Sequence, residues 1–380
     1  MIDNLEALVS DCIQVDELFY QDGFPIIRGR LLMEASKVFE IICERLKPFN
    51  LIPILRILRS PRRMRGARDD IRDKDGKSCQ CGEPRQSGEV ELQVRAFFQS
   101  QPTRVWLNCV LLLVTICSTI LAGSFLAGVD PFIDIKNLLK GIPFSITLLL
   151  ILGAHEFGHY FACKLQGIQA TLPYFIPAPP PIFPLGTFGA VIRIKSPIKD
   201  KKSLVKIGAM GPIIGFCVAI PIVIIGLKLS KFALLSPTSE HIFLGNSIVF
   251  WALTNLFTNS PPIGYDLSLH PVAFAGWVGM FVTAINLLPV GQLDGGHISY
   301  ALLGNNFKFI TFPIIGIMIL CGLFFWPGWL FWAILIVAFI GLRHPPPLND
   351  ITPLDRQHKF IGIGSMFIFI ITFVPIPFKV

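Results

Sequence analysis

The chain has 380 residues, of which 52% are hydrophobic and 15% charged, with a formal net charge of +8 and a mean hydropathy of +0.62. A soluble domain carries about 25% charged residues, so this composition excludes a wholly water-solvated protein and assigns most of the chain to lipid. The positive balance is no nucleic-acid signal. Much of it sits in one stretch, RILRSPRRMRGARDDIRDKDGK (56–77), beside the first apolar run. There it fits the positive-inside rule and attraction to anionic lipid, and no nucleic-acid recognition motif accompanies it.

In chain order, MIDNLEALVSDC has no basic region followed by an apolar core, so it does not read as a signal peptide, and it is too acidic for a transit peptide. Residues 1–103 are expected to form a cytoplasmic N-terminal module of small α/β type with a basic linker. Within it, GRLLMEASKVFEIICERL (29–46) places Leu31, Leu32, Ala35, Val38, Phe39 and Ile42 at helical spacing. The 60–90 stretch is expected to be disordered. The nine cysteines form no C-x-x-C pair, and Cys79 and Cys81 have poor spacing for zinc.

Residues 104–380 carry apolar runs near the length a bilayer needs, about 20 residues. They fall at 105–127, 139–163, 207–228, 271–291, 307–326, 328–342 and 359–378. A shorter run, 243–257, reads as re-entrant or interfacial. The expected fold class is therefore mainly α, a polytopic membrane helical bundle of about seven spans. Alternate connections are basic. KSPIKDKKSLVK (195–206) holds five lysines, and 343–359 holds Arg343, Arg356 and Lys359, whereas an opposite loop holds only the pair Lys136 and Lys140. This parity places HEFGH (155–159) near the cytoplasmic end of the second span and 290–305 at the cytoplasmic end of the fourth.

HEFGH lies inside a run apolar enough for lipid, and its chemistry explains why it can be there. Side chains four residues apart share one helix face, so the His155 and His159 imidazoles can reach one zinc ion at about 2.0–2.1 Å. Glu156 lies beside that metal and can move a proton from water to a leaving amine. Ionisable groups in a span cost about 2.5–3.5 kcal/mol each even on a lenient scale, and a doubly charged ion offsets that cost. A catalytic zinc takes three protein ligands and water. Asp294 is the only carboxylate between Asp266 and Asp350 and is followed by two glycines that let the backbone turn. His297 competes for the third position, although a supporting or helix-packing role suits it better. His270, at the start of a span, reads as interfacial.

HEFGH and NLLPVGQLDGG (286–296) together resemble the site-2 protease family of intramembrane metalloproteases, peptidase family M50, over about residues 105–345. GTFGAVIRIKSPI (186–198), GAMGP (208–212) and HPVAFAGWVG (270–279) are similar to its bacterial and plastid branch, and 229–270 leaves no room for a PDZ insert. The resemblance implies a zinc metalloendopeptidase with one Zn2+ per chain, held by His155, His159 and Asp294, with Glu156 activating the zinc-bound water. It implies a transmembrane protein substrate, a lipid environment and a bacterial inner membrane, or alternatively a plastid membrane. It also implies that Asn286 positions substrate; an amide in a span can equally bond across helices. The other functional class compatible with intramembrane histidine and aspartate is a zinc transporter, although no second HExxH-like segment marks a repeated half.

TLPYFIPAPPPIFPLGTFGAVIRI (171–194) holds six prolines and cannot be one helix. It is expected to be a short β or re-entrant segment near the active site. Either it offers a strand edge to an unwound substrate or it is a connecting loop. Gly208, Gly211 and Gly215 lie on one helix and are expected to serve close packing.

Overall fold

The computed structural model describes residues 5–58, 89–96, 104–180, 183–234 and 243–379. The basic stretch expected to be disordered, with Cys79 and Cys81, lies almost wholly outside them. The chain forms two compact units, one of residues 1–99 with 346–353 and one of residues 100–345 with 354–380.

The first unit begins with α1 (Leu5–Val9), β1 (Ile13–Gln21) and β2 (Phe24–Leu31). It continues with α2 (Ala35–Leu46), β3 (Leu51–Ile57) and β4 (Val90–Ala96). The four strands make an antiparallel sheet in the order β1-β2-β4-β3. Alternation in β4 turns Val90, Leu92 and Val94 inward, where they join Ile27, Val38, Ile42 and Leu55 in one core. At the edge of β3, Leu55 bridges Asn349. The Leu55 N–H donates to the Leu348 carbonyl at 2.8 Å. A connection more than 250 residues downstream in sequence thus covers an edge that would otherwise be open for pairing.

The second unit is mainly helical. Among the described residues, four helical segments are long and apolar enough to cross a membrane, at Val105–Leu126, Ile135–Leu165, Lys201–Leu229 and Asp294–Phe324. Shorter apolar helices cover Ile248–Phe257, Pro271–Asn286 and Gly328–Ile340. The expected runs 271–291, 328–342 and 359–378 yield shorter helices, Pro271–Asn286, Gly328–Ile340 and Arg356–Thr372, so a count of seven spans is not confirmed. The run 243–257 contains a ten-residue helix entered through a Ser247 cap, whose side chain accepts from the Phe250 N–H.

In chain order these helices are α3 (Val105–Leu126), α4 (Leu138–Leu165), α5 (Lys201–Leu229), α6 (Ile248–Phe257) and α7 (Pro271–Asn286). They are followed by α8 (Asp294–Leu303), α9 (Lys308–Phe324), α10 (Gly328–Leu335) and α11 (Arg356–Thr372). Between α4 and α5, β5 (Tyr174–Ala178) and β6 (Gly186–Val191) form an antiparallel hairpin. Proline removes helix donors in this stretch, and the strand pair satisfies what remains.

Large apolar side chains stay exposed along the spans, among them Leu113, Ile146, Ile225 and Phe309. The spans turn these outward and bury small and polar groups inward, the pattern that lipid selects. Thr119 and Ser145 share a buried hydrogen bond of 2.6 Å between α3 and α4. At the same crossing Gly123 and Gly141 meet backbone to backbone. A Cβ on Gly141 would run into the Ile120 carbonyl, whereas one on Gly316 of α9 would meet nothing within 4 Å.

That contrast predicts the outcome of two alanine substitutions. Gly141→Ala should lower the thermal midpoint of the detergent-solubilised protein, by about 1–3 kcal/mol of overpacking. Gly316→Ala should leave the midpoint unchanged or raise it slightly. Equal midpoints for both variants would show that the α3–α4 crossing is not a tight contact.

Candidate metal centre

α4 carries HEFGH through the middle of the second unit. His155, Glu156, Gly158 and His159 face inward, whereas Phe157 and Phe161 face outward. α5 lies against the inward face because Gly158 rests on the backbone of Met210 and Gly211, with no room for a Cβ. A Cβ on Gly211 would fall inside the His159 ring, and one on Gly215 would touch His155 Cβ and Nδ1 at 3.2 Å. Gly208, Gly211 and Gly215 of α5 therefore do more than pack helices. Gly211 and Gly215 seat the two imidazoles, and Gly208 lies against the backbone of Asp294 and the Cβ of His297.

The third side chain arrives from 139 residues downstream of His155. α7 ends at Asn286, and the chain turns through 287–293 before α8 starts at Asp294. Gly291 takes a left-handed conformation (φ 54°) against the Gly341 carbonyl. Gly295 and Gly296 contribute differently from expectation. A Cβ at either would strike carbonyls of the preceding turn, those of Leu287 and Leu288 or of Val290 and Gly291. The glycine pair allows the first turn of α8 to lie directly on the 287–291 turn, so close approach, not backbone turning, is what brings Asp294 inward.

Asp294 Oδ2 lies 3.1 Å from His155 Nε2 and 3.2 Å from His159 Nε2, and the two imidazole nitrogens are 3.1 Å apart. Donors about 2.0–2.1 Å from a tetrahedral zinc stand roughly 3.3 Å from one another, so these three fit one ion. No two of the three need carry a proton between them if a cation does that work. The other ring nitrogen of His159 lies 2.7 Å from the Ile207 carbonyl. Donation from Nδ1 to that carbonyl leaves the Nε2 lone pair free to bind. Among the described residues, this is the one group of three or more His, Cys, Asp and Glu side chains close enough to hold an ion together.

The centre opens on a cavity of about 370 Å³ lined by Glu156, His159, Asn286, Asp294 and His297, with apolar walls. Asn286 Nδ2 is 3.3 Å from His155 Nε2, so the amide sits at the centre itself. One apolar wall is Ala190, Val191, Ile192 and Ile194, the end of β6 and the residues after it. That strand is tied down on its other side, where Ser118 donates to the Gly186 carbonyl at 2.6 Å and Thr171 N–H to the Arg193 carbonyl at 3.0 Å. Phe339 and Ile340, in a π-helical turn, Ile336–Ile340, that follows α10, also line the cavity. Such turns recur at functional sites because they break the regular backbone ladder.

His297 does not enter the group of three. It lines the cavity and hydrogen-bonds His344, which sequence reasoning missed. A lone histidine in a proline-rich connection carries no spacing signal. His270 caps α7, accepting from the Val272 N–H at 3.3 Å.

A family model described as peptidase family M50 matches residues 143–325. The chain is 29% identical over 251 residues to "Probable zinc metalloprotease EGY2, chloroplastic" of Arabidopsis thaliana, covering 65% of this chain and 44% of the relative. It is 29% identical over 256 residues to "Probable zinc metalloprotease EGY1, chloroplastic" of the same plant, again 65% and 44%. Against "Probable zinc metallopeptidase EGY3, chloroplastic" it is 26% identical over 322 residues, 76% and 52%. The chain thus spans about half the length of these relatives or less. No solved structure matches it significantly. Residues 143–325, which hold the histidines, the glutamate and the aspartate of the centre, are a peptidase family M50 domain, and the chain is a homologue of the EGY zinc metalloproteases.

Proposed function

We propose that this chain is an intramembrane zinc endopeptidase that cuts a transmembrane segment of another protein, with one zinc ion per chain held by His155, His159 and Asp294. The observation that carries the proposal is the contact of Asp294 Oδ2 with both imidazoles, at 3.1 and 3.2 Å, across 139 and 135 residues of sequence. A zinc ion held there would supply a Lewis acid that makes a water molecule acidic enough to attack near neutral pH. Glu156, on the inward face of α4, takes the proton from the attacking water and delivers it to the amide nitrogen that leaves. The Asn286 amide donates to the substrate carbonyl oxygen as negative charge grows on it.

Peptide bonds within a helix are shielded, so the substrate must unwind at the cut. The Ala190–Ile194 wall supports a place for the unwound segment. The Ile192 backbone lies against the Glu156 carboxylate, and an extended chain added along this edge brings its own backbone to the base. The lysines of 195–206 support a site near the positive-inside ends of the spans, cytoplasmic in a bacterial membrane and stromal in a plastid one, and with it an N-terminal module on that side. The relatives' names carry "chloroplastic", which favours the plastid membrane over a bacterial inner membrane. The transporter reading gains no support, since it gives Glu156 no task and the relatives above are named as metalloproteases or a metallopeptidase.

Two tests separate the roles. Glu156→Gln should keep its zinc and lose cleavage of a transmembrane substrate by about 10²–10⁴-fold, read by zinc content and product formation on the same preparation. Full activity in that variant would remove Glu156 as the base. Gly211→Ala should displace the His159 ring and lower zinc content, whereas Gly215→Ala, whose Cβ has 3.2 Å, should lower it less. Equal and undiminished zinc in both would contradict the seating of His159 by α5.

A further inference from the structure

α3 lies ahead of residues 143–325, the part that matches the peptidase family, and supplies no donor to the metal centre. It carries Asn108, a buried amide in an apolar helix. Asn108 Nδ2 donates to two consecutive carbonyls, those of Leu172 and Pro173, at 2.9 Å each. The amide can only point this way, because its oxygen turned toward two carbonyls would be repelled by both. Its Oδ1 is left buried without a hydrogen-bond partner. The side chain thus bears a desolvation cost on one atom while it keeps both donations.

Those two carbonyls sit at a fault in the strand pairing. Ala170 faces Ile194, and the Thr171 N–H donates to the Arg193 carbonyl at 3.0 Å. Farther along, Tyr174 faces Val191. Leu172 and Pro173 therefore stand together opposite Ile192 alone, which is a β-bulge. No backbone N–H among the described residues bonds either carbonyl. The bulge lies directly behind the cavity wall. Arg193 N–H bonds Thr171 Oγ1 at 3.0 Å and Lys195 N–H bonds the Gln169 carbonyl at 2.8 Å. By alternation Ile192, between Val191 and Arg193, turns its own N–H to the other side. There Ile192 lines the cavity together with Glu156, its backbone against the carboxylate.

We infer that Asn108 is a positioning residue: it holds the Leu172–Pro173 bulge, and through it sets where Ile192, and a substrate strand laid along that edge, lie relative to Glu156. This rests on the proteolytic reading. A bulge bends and twists the strand that carries it, so its geometry is passed to the paired residue. Without the two donations both carbonyls would be unpaired inside the membrane unit, a state that favours a change of pairing. The other end of the hairpin is held by the same helix, where Ser118 donates to the Gly186 carbonyl. Asn108 and Ser118 stand about 15 Å apart along α3, and the five residues of β5 span about 17 Å. One helix outside the matched domain therefore fixes the hairpin at its entry and at its turn.

The test uses the full-length, zinc-loaded protein in detergent and a peptide corresponding to a single transmembrane helix that the wild type cleaves, with the products identified by mass spectrometry. Asn108→Leu, similar in size but without donors, should lower kcat/KM about 10–100-fold and spread the cuts over neighbouring bonds, with zinc content unchanged. Asn108→Gln, which keeps both N–H groups, should restore most of the rate and the original cut. Ser145→Ala breaks the α3–α4 bond to Thr119 without removing any bond to the hairpin. It should lower the thermal midpoint and leave the cut in place. Wild-type rate and cut in Asn108→Leu would overturn the inference. So would the same spread of cuts in Ser145→Ala, which would mark a general loosening of α3. If Asn108→Leu fails to fold, Asn108→Ser, with one donor in place of two, is read in the same way. Failure of the proteolytic reading would show separately, as undiminished cleavage by Glu156→Gln.

Discussion

Asp294 brings a carboxylate into contact with two imidazoles inside an apolar bundle, and the close packing of α4, α5 and α8 serves that contact. Separately these groups would be costly at membrane depth. A carboxylate without compensation loses its hydration, and two imidazoles facing one another compete for one proton. Brought together at 3.1–3.2 Å, they form a donor set that a divalent cation compensates. The cost of burial thus argues for the ion as strongly as the geometry does.

Backbone proximity makes the meeting possible. Gly158 lets α4 and α5 touch, Gly211 and Gly215 leave the volume that the histidine rings occupy, and Gly295 and Gly296 let α8 fold onto the turn before it. Each contact is one in which a single methyl group would push a donor away. The polar groups at the rim follow from the same packing. Asn286 ends α7 just where the chain turns toward Asp294. His344, beyond the π-helical turn after α10, reaches back to His297.

The parts of this arrangement legible in the sequence were those that depend on local period or on scarcity. The four-residue spacing of His155 and His159 specifies one helix face. A lone carboxylate in eighty residues of apolar sequence leaves few choices for a third donor. Prolines between 173 and 184 exclude a helix and point to a short β or re-entrant segment. What could not be read depended on contacts between distant segments. Nothing in RHPPPLND announces that Leu348 and Asn349 would extend a sheet begun at residue 13, or that His344 would hold His297. The α5 glycines were visible as packing residues, but the rings they seat belong to another helix. The span count is unconfirmed for a related reason. Hydropathy marks apolar runs, and the turn that ends α7 at 286 lies inside one of them.

The most direct test of the centre is zinc-edge X-ray absorption on the purified protein, with metal content measured alongside. Two histidines and one aspartate predict a shell of nitrogen and oxygen neighbours at about 2.0–2.1 Å with imidazole scattering beyond it, one ion per chain, and loss of that ion in Asp294→Ala. A sulfur shell near 2.3 Å, or zinc bound equally well by Asp294→Ala, would contradict it.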